Sequence, residues 1–138
     1  MSYEITWEPE GVLATFAAPV TVRDLIGSVR KMHADSRFDE GRYVINQLPD
    51  DTGPALTEDA LIELAALNYG AYTSHPNCRI AFVTADVALG QLIEQVLTRP
   101  GLASYQVKVL NSLTAARDWL DSQPDLHLMS SVMGLRLR

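Results

Sequence analysis

The chain predicts an α/β fold built on a single open five-stranded mixed sheet, and three observations carry that expectation. Residues Ile80-Ala81-Phe82-Val83 are apolar without a break. A strand alternates its faces, so such a run is dry on both sides and belongs inside a sheet with parallel neighbours. Two strand-like segments near the start are separated only by Glu8-Pro9-Glu10-Gly11, which makes them an antiparallel hairpin. Helical and strand-like stretches then alternate, as βα units with right-handed crossovers do.

The first strand spans 3–7, with Tyr3, Ile5 and Trp7 on one face and Glu4 and Thr6 on the other, a half-buried pattern. The second, 12–17, is more apolar. Pro19 ends it and Thr21 caps a helix that turns Val22, Leu25, Ile26, Val29, Met32 and His33 to one side. A polar loop, 35–41, carries one buried-type residue, Phe38. The third strand runs 42–48 and is intermediate in polarity. After the loop 49–54, Thr57-Glu58-Asp59 starts a helix over 58–73, its acids placed to meet the helix dipole. His75-Pro76-Asn77 leads into the dry strand, and Asp86 caps a helix that buries Leu89, Leu92, Ile93, Val96 and Leu97. Pro100-Gly101 ends that helix. Residues 105–110 alternate again and form an edge strand. The last helix, capped by Asn111 or Ser112, turns Leu113, Ala116, Trp119 and Leu120 inward. The order is β-β-α-β-α-β-α-β-α, with the first and last strands at the edges. Residues 1–125 form one domain, followed by an apolar tail over 126–138.

Bulk properties narrow the function. The 138 residues are 47% hydrophobic and 20% charged, an ordinary globular composition that supports a core without staples. A formal net charge of −6 argues against a general nucleic-acid binder. A single cysteine, Cys78, excludes an intrachain disulfide and points to a reducing compartment. No apolar run reaches the ~20 residues of a membrane span, so no integral membrane association is expected. Met1-Ser2-Tyr3-Glu4-Ile5 does not read as a signal peptide, and the expected location is cytoplasmic.

Four stretches carry a family resemblance: Tyr3-x-Ile5-x-Trp7 with Gly11-Val12; Asp35-Ser36-Arg37-Phe38-Asp39 before Arg42-Tyr43-Val44-Ile45; Arg79-Ile80-Ala81-x-Val83; and Tyr105-x-Val107-Lys108-Val109 followed by Ala115-Ala116-x-x-Trp119-Leu120. Together, over about residues 3–121, they resemble the SpoIIAA-like, STAS-related proteins, whose fold is shared with CRAL-TRIO lipid-binding domains. The resemblance implies strands in roughly sequential order and no enzyme activity. Anti-sigma antagonists of this broad group bind a kinase-like partner beside the helix after the third strand, and phosphorylation of a hydroxyl residue regulates them there. This chain departs from their Asp-Ser-Ser-Gly-type turn: Asn46-Gln47-Leu48-Pro49-Asp50-Asp51-Thr52-Gly53 contains no serine, and Thr57 is the hydroxyl near the helix start, so the serine of the classical switch has no counterpart here.

Each candidate site has a plainer reading beside it. Thr57 could take a phosphate at a helix N-terminus, but it reads more simply as an N-cap. Asp50 and Asp51, at a strand's carboxyl end, could hold magnesium together with Asp86; the alternative is a solvated loop and a cap. His33 reads as a core or helix-end histidine. His75 and Cys78, three apart in a turn, lack the third group that orients a nucleophile pair. Arg37 with Asp35 and Asp39 reads as a loop ion pair near Phe38, Trp119 as core, and Trp7 as core or an edge contact.

The helix 58–73 points furthest toward function. After Glu63 it carries no formal charge, and its apolar residues fill two stripes, one with Leu61, Leu64, Ala65 and Tyr72, the other with Ile62, Ala66 and Tyr69. Either it is packed on two sides, or Leu67, Tyr69 and Tyr72 stay partly exposed as an interaction face. The tail offers a second candidate surface: Leu128, Met129, Val132, Met133 and Leu135 could cover the sheet or cross to another subunit. The function expected is a non-catalytic regulatory or protein-interaction module, a homodimer, without cofactor or metal. A carrier of a small apolar ligand or lipid is the second reading, and an acid-dependent hydrolase at Asp50, Asp51 and Asp86 a distant third.

Overall fold

The chain closes its hairpin at once, with β1 (Tyr3–Glu8) and β2 (Gly11–Phe16) antiparallel and Trp7 opposite Val12. In the computed structural model, which describes residues 2–123, β3 (Tyr43–Gln47), β4 (Arg79–Val83) and β5 (Gln106–Leu110) continue from β2 in parallel. The sheet order is β1-β2-β3-β4-β5, so β1 and β5 are its edges. Among the described residues there are four α-helices: α1 (Val22–Ala34), α2 (Glu58–Ser74), α3 (Val87–Leu97) and α4 (Leu113–Asp121). A strictly sequential parallel order with crossovers of one hand sends every connecting helix to the same face. Accordingly α1 packs on α2 and α2 on α3. The face below them, which includes Val12, Ala14, Val44, Ile80 and Phe82, forms the larger core. The opposite face puts Tyr43, Ile45, Ala81 and Val83 against Ala116 and Leu120 of α4.

Local chemistry sets the element ends. Thr21 caps α1 in a reciprocal capping box with Asp24. Thr57, Asp86 and Ser112 each accept a backbone N–H at the start of α2, α3 and α4. Gly101, at φ 88°, supplies the left-handed turn after α3. The stretch 35–41 is not a plain loop: Ser36–Glu40 is a short 3-10 helix capped by Asp35, with Phe38 buried.

Three expectations about packing need correction. β3 is as dry as β4, since Tyr43, Val44, Ile45 and Asn46 are all buried. It lies third of five strands with helices on both faces, so even its asparagine is enclosed. On α2, Tyr72 does not join the buried stripe; Asn68 does, beside Leu61, Leu64 and Ala65. On α4, Arg117 faces inward with Ala116 and Leu120, while Trp119 is only half-buried.

That inward arginine meets the first strand. Its two terminal nitrogens donate to Glu8 Oε1 and Oε2 at 2.9 and 2.7 Å, and Tyr43 Oη donates to Glu8 Oε1. Burial pushes the Glu8 carboxyl upward, but the hydrogen bonds from Arg117 and Tyr43 outweigh it and hold the group below its ordinary range. Gly11 makes room for Tyr43: a Cβ there would lie 2.5 Å from the ring. The tail residues, including Met129 and Met133, lie outside the described residues.

Candidate functional site

The outer face of α2 is the feature that internal packing leaves over. Leu61, Leu64, Ala65 and Asn68 turn to the sheet, and Leu67 is half-buried against the same core. Ala66, Tyr69, Gly70 and Thr73, at the i, i+3, i+4, i+7 spacing of one helix face, are exposed. Tyr69 is 54% and Tyr72 37% exposed. With Val87 they are the large apolar side chains left in solvent among the described residues. The strip is open at Gly70, where a Cβ would meet nothing within 4 Å.

The two tyrosines differ in support. Tyr72 packs edge-on to Tyr105, with ring centroids 5.2 Å apart, and Tyr105 Oη donates to the His75 carbonyl at 2.7 Å. Burial raises the Tyr105 phenol, so it stays a donor. Tyr72 therefore stands on a fixed base at the rim of an open groove of about 460 Å³, which Asn77, Arg79, Ser104 and Gln106 also line. Tyr69 projects without a ring partner of that kind among the described residues.

The acidic set does not assemble. Asp86 Oδ1 accepts from Leu89 N at 3.1 Å as a helix cap, and Asp51 Oδ1 accepts from Gly53 N at 3.1 Å inside its own loop. The hollow beside Asp86 is lined by Thr84, Gly90 and Glu94 but not by Asp50 or Asp51. Glu94 there already accepts from Val109 N. Among the described residues no group of three His, Cys, Asp or Glu side chains could hold a metal ion. Topology supplies the reason. Ligand crevices in open α/β sheets form where strand order reverses and neighbouring loops part to opposite faces. Here β2 to β5 follow in sequence, and no such parting occurs. Thr57 is the N-cap of α2, its Oγ1 accepting from Ala60 N at 3.3 Å.

The histidines and the cysteine are structural in their contacts. His33 and His75 flank Phe38, with ring centroids at 4.7 and 5.1 Å, and His75 Nε2 lies 2.8 Å from the Gly41 carbonyl. Burial, and then the proximity of His75, lower the His33 pKa. Cys78 is buried, which pushes its thiol up to about 12, the opposite of an activated nucleophile. Arg37 and Asp35 pair at 2.7 Å, and the guanidinium sits 4.7 Å from the Trp7 ring. Hydrogen bonds from Arg37 hold Asp35 down to about 2. This clamp fastens the 3-10 segment to the edge strand.

Sequence reasoning missed Arg117 and Asn68, although a polar residue within an apolar helical stripe was the available signal for both. No helix among the described residues is long and apolar enough to cross a membrane. No family model, curated protein or solved structure matches the chain.

Proposed function

We propose that the chain is a non-catalytic regulatory or protein-interaction module, of the SpoIIAA-like, STAS-related kind, and that it docks a second copy of itself through the outer face of α2. The observation that carries this reading is the exposure of Tyr69 and Tyr72 on a helix with no formal charge after Glu63. Two copies of a chain with net charge −6 repel one another, so their contact belongs on an uncharged strip. Ala66 and Gly70 let a second helix approach closely, and a two-fold arrangement would set Tyr69 of each copy over the small residues of the other. Exposed aromatic anchors of this type dominate interface energetics.

The carrier reading draws little support from the interior. The enclosed void between α1, α2 and the sheet has room for a single water, whereas pockets for drug-sized ligands run to roughly 300–1,000 Å³.

Light scattering across a concentration series tests the proposal. A dimer at tens of micromolar that Tyr69→Glu converts to a folded monomer is the expected result. A wild-type protein that is monomeric throughout, or a dimer indifferent to Tyr69→Glu, overturns the choice of face and occupant.

A further inference from the structure

The dry face of β3 contains one polar side chain, Asn46, whose register neighbours are Ala14 on β2 and Phe82 on β4. Asn46 is 3% exposed and its Oδ1 has no hydrogen-bond partner. A buried amide oxygen without a partner carries a desolvation cost that native interiors almost always offset. Above it, Asn68 of α2 is 5% exposed; its amide, unlike the Asn46 oxygen, is not among the fully enclosed unpartnered atoms of the described residues. Both asparagines line the same enclosed void.

Two other polar residues around that void have their own partners. The Cys78 thiol points to the Arg79 carbonyl at 3.7 Å, and Tyr105 Oη donates to the His75 carbonyl. The His33 ring, also at the void, packs tilted against Phe38 with centroids 4.7 Å apart. The rest of the lining is apolar, Leu64 and Phe82 among it. The space left is about that of one water, the size at which a polar void fills and an apolar one stays dry.

We propose that this void is a binding site for one ordered water that joins the Asn46 and Asn68 side-chain amides and so fixes the rotation of α2 over the sheet. Water suits both orientations of each amide, because it donates and accepts equally. Two amides meeting through water also explain why asparagine, rather than leucine, occupies each position. Changing Asn68 alone would take away one side of the water site and leave the enclosed Asn46 oxygen without that support.

Two measurements decide the matter. In the full chain, cross-relaxation between water and the Asn46 and Asn68 side-chain NH₂ protons should reveal a water resident for nanoseconds or longer. Urea unfolding of Asn46→Leu, Asn68→Leu and the double variant should show coupling. Each single change should lower the folding equilibrium constant roughly tenfold or more, because it orphans the remaining amide. The double change should recover most of that loss. An absent water signal in the wild type overturns the site even if a variant fails to fold. So do single variants that each stabilise the protein and add in the double, since independent amides in a dry void would behave that way.

Discussion

Arg117 of α4 holds Glu8 of β1 by both ends of its guanidinium, joining residues 109 apart in sequence. The pair ties an edge strand to the last helix, and the side chains are only 9% and 13% exposed. Breaking a buried pair from one side leaves the other charge without its counter-charge. Arg117→Met should therefore cost about 3 kcal/mol, the low end for such pairs because Glu8 keeps some solvent contact. The contribution also depends on pH. The folded Glu8 pKa lies below its ordinary 4.5, so the unfolded chain takes up a proton first as pH falls. The stabilisation is complete above the unfolded value and is lost as pH drops through the folded one. Urea midpoints of wild type and Glu8→Gln should differ most near neutrality and converge in acid.

Gly11→Ala tests the same cluster from below. The new methyl would lie 2.5 Å from Tyr43 ring atoms, and that ring is held by its own bond to Glu8. Either the ring moves and loses the bond, or the strand shifts. A loss of about 1–3 kcal/mol is expected, read as a fall in urea midpoint with an unchanged slope. Tyr43→Ala in the Gly11→Ala background should remove the steric part, so the two changes should combine to less than their sum.

How far the sequence could be read follows from these contacts. The five strands, their edges and the four helices were legible because apolar periodicity is local: Ile80 to Val83 shows its burial residue by residue. The caps at Thr21, Thr57 and Asp86 were legible for the same reason. The burial of β3 was not, because it depends on which strands lie beside Tyr43–Asn46. Arg117 and Asn68 sit within apolar helical stripes, a signal that was open to reading, but a polar residue on a helix is by default taken as solvent-facing, and only the fold shows Arg117 meeting Glu8. The plainer reading of Asp86 as a cap and of Asp51 as a loop residue was also open to the sequence, because both bonds are local: Asp86 to Leu89 N and Asp51 to Gly53 N.

His33 gives a second pH dependence, of opposite cause. Burial and the neighbouring His75 place its folded pKa below its ordinary 6.5. The unfolded chain therefore binds the proton more readily, and stability falls as pH drops below about 6.5 toward the folded value. Urea midpoints of wild type and His33→Gln, compared at pH 7.5 and pH 5.5, should show the wild type losing more on acidification. Equal losses would mean that the ring packed against Phe38 is as easily protonated in the fold as in the unfolded chain.

Tyr69 and Tyr72 sit on one helix and should separate folding from association. Tyr72 rests on Tyr105, and an edge-on aromatic pair contributes about 0.5–1.5 kcal/mol beyond the area it covers. Tyr72→Ala should therefore lower the stability of the monomer itself. Tyr69 has no such ring contact and is 54% exposed, so Tyr69→Ala should leave monomer stability within about 0.5 kcal/mol of wild type. In the proposed dimer its truncation should cost about 2 kcal/mol, or roughly thirtyfold in the dissociation constant, as for an aromatic anchor at an interface centre. Sedimentation equilibrium paired with urea unfolding at low protein concentration resolves the two. A Tyr69→Ala variant with weakened self-association and intact monomer stability places the tyrosine in the interface. One with unaltered association shows that self-association does not run through Tyr69.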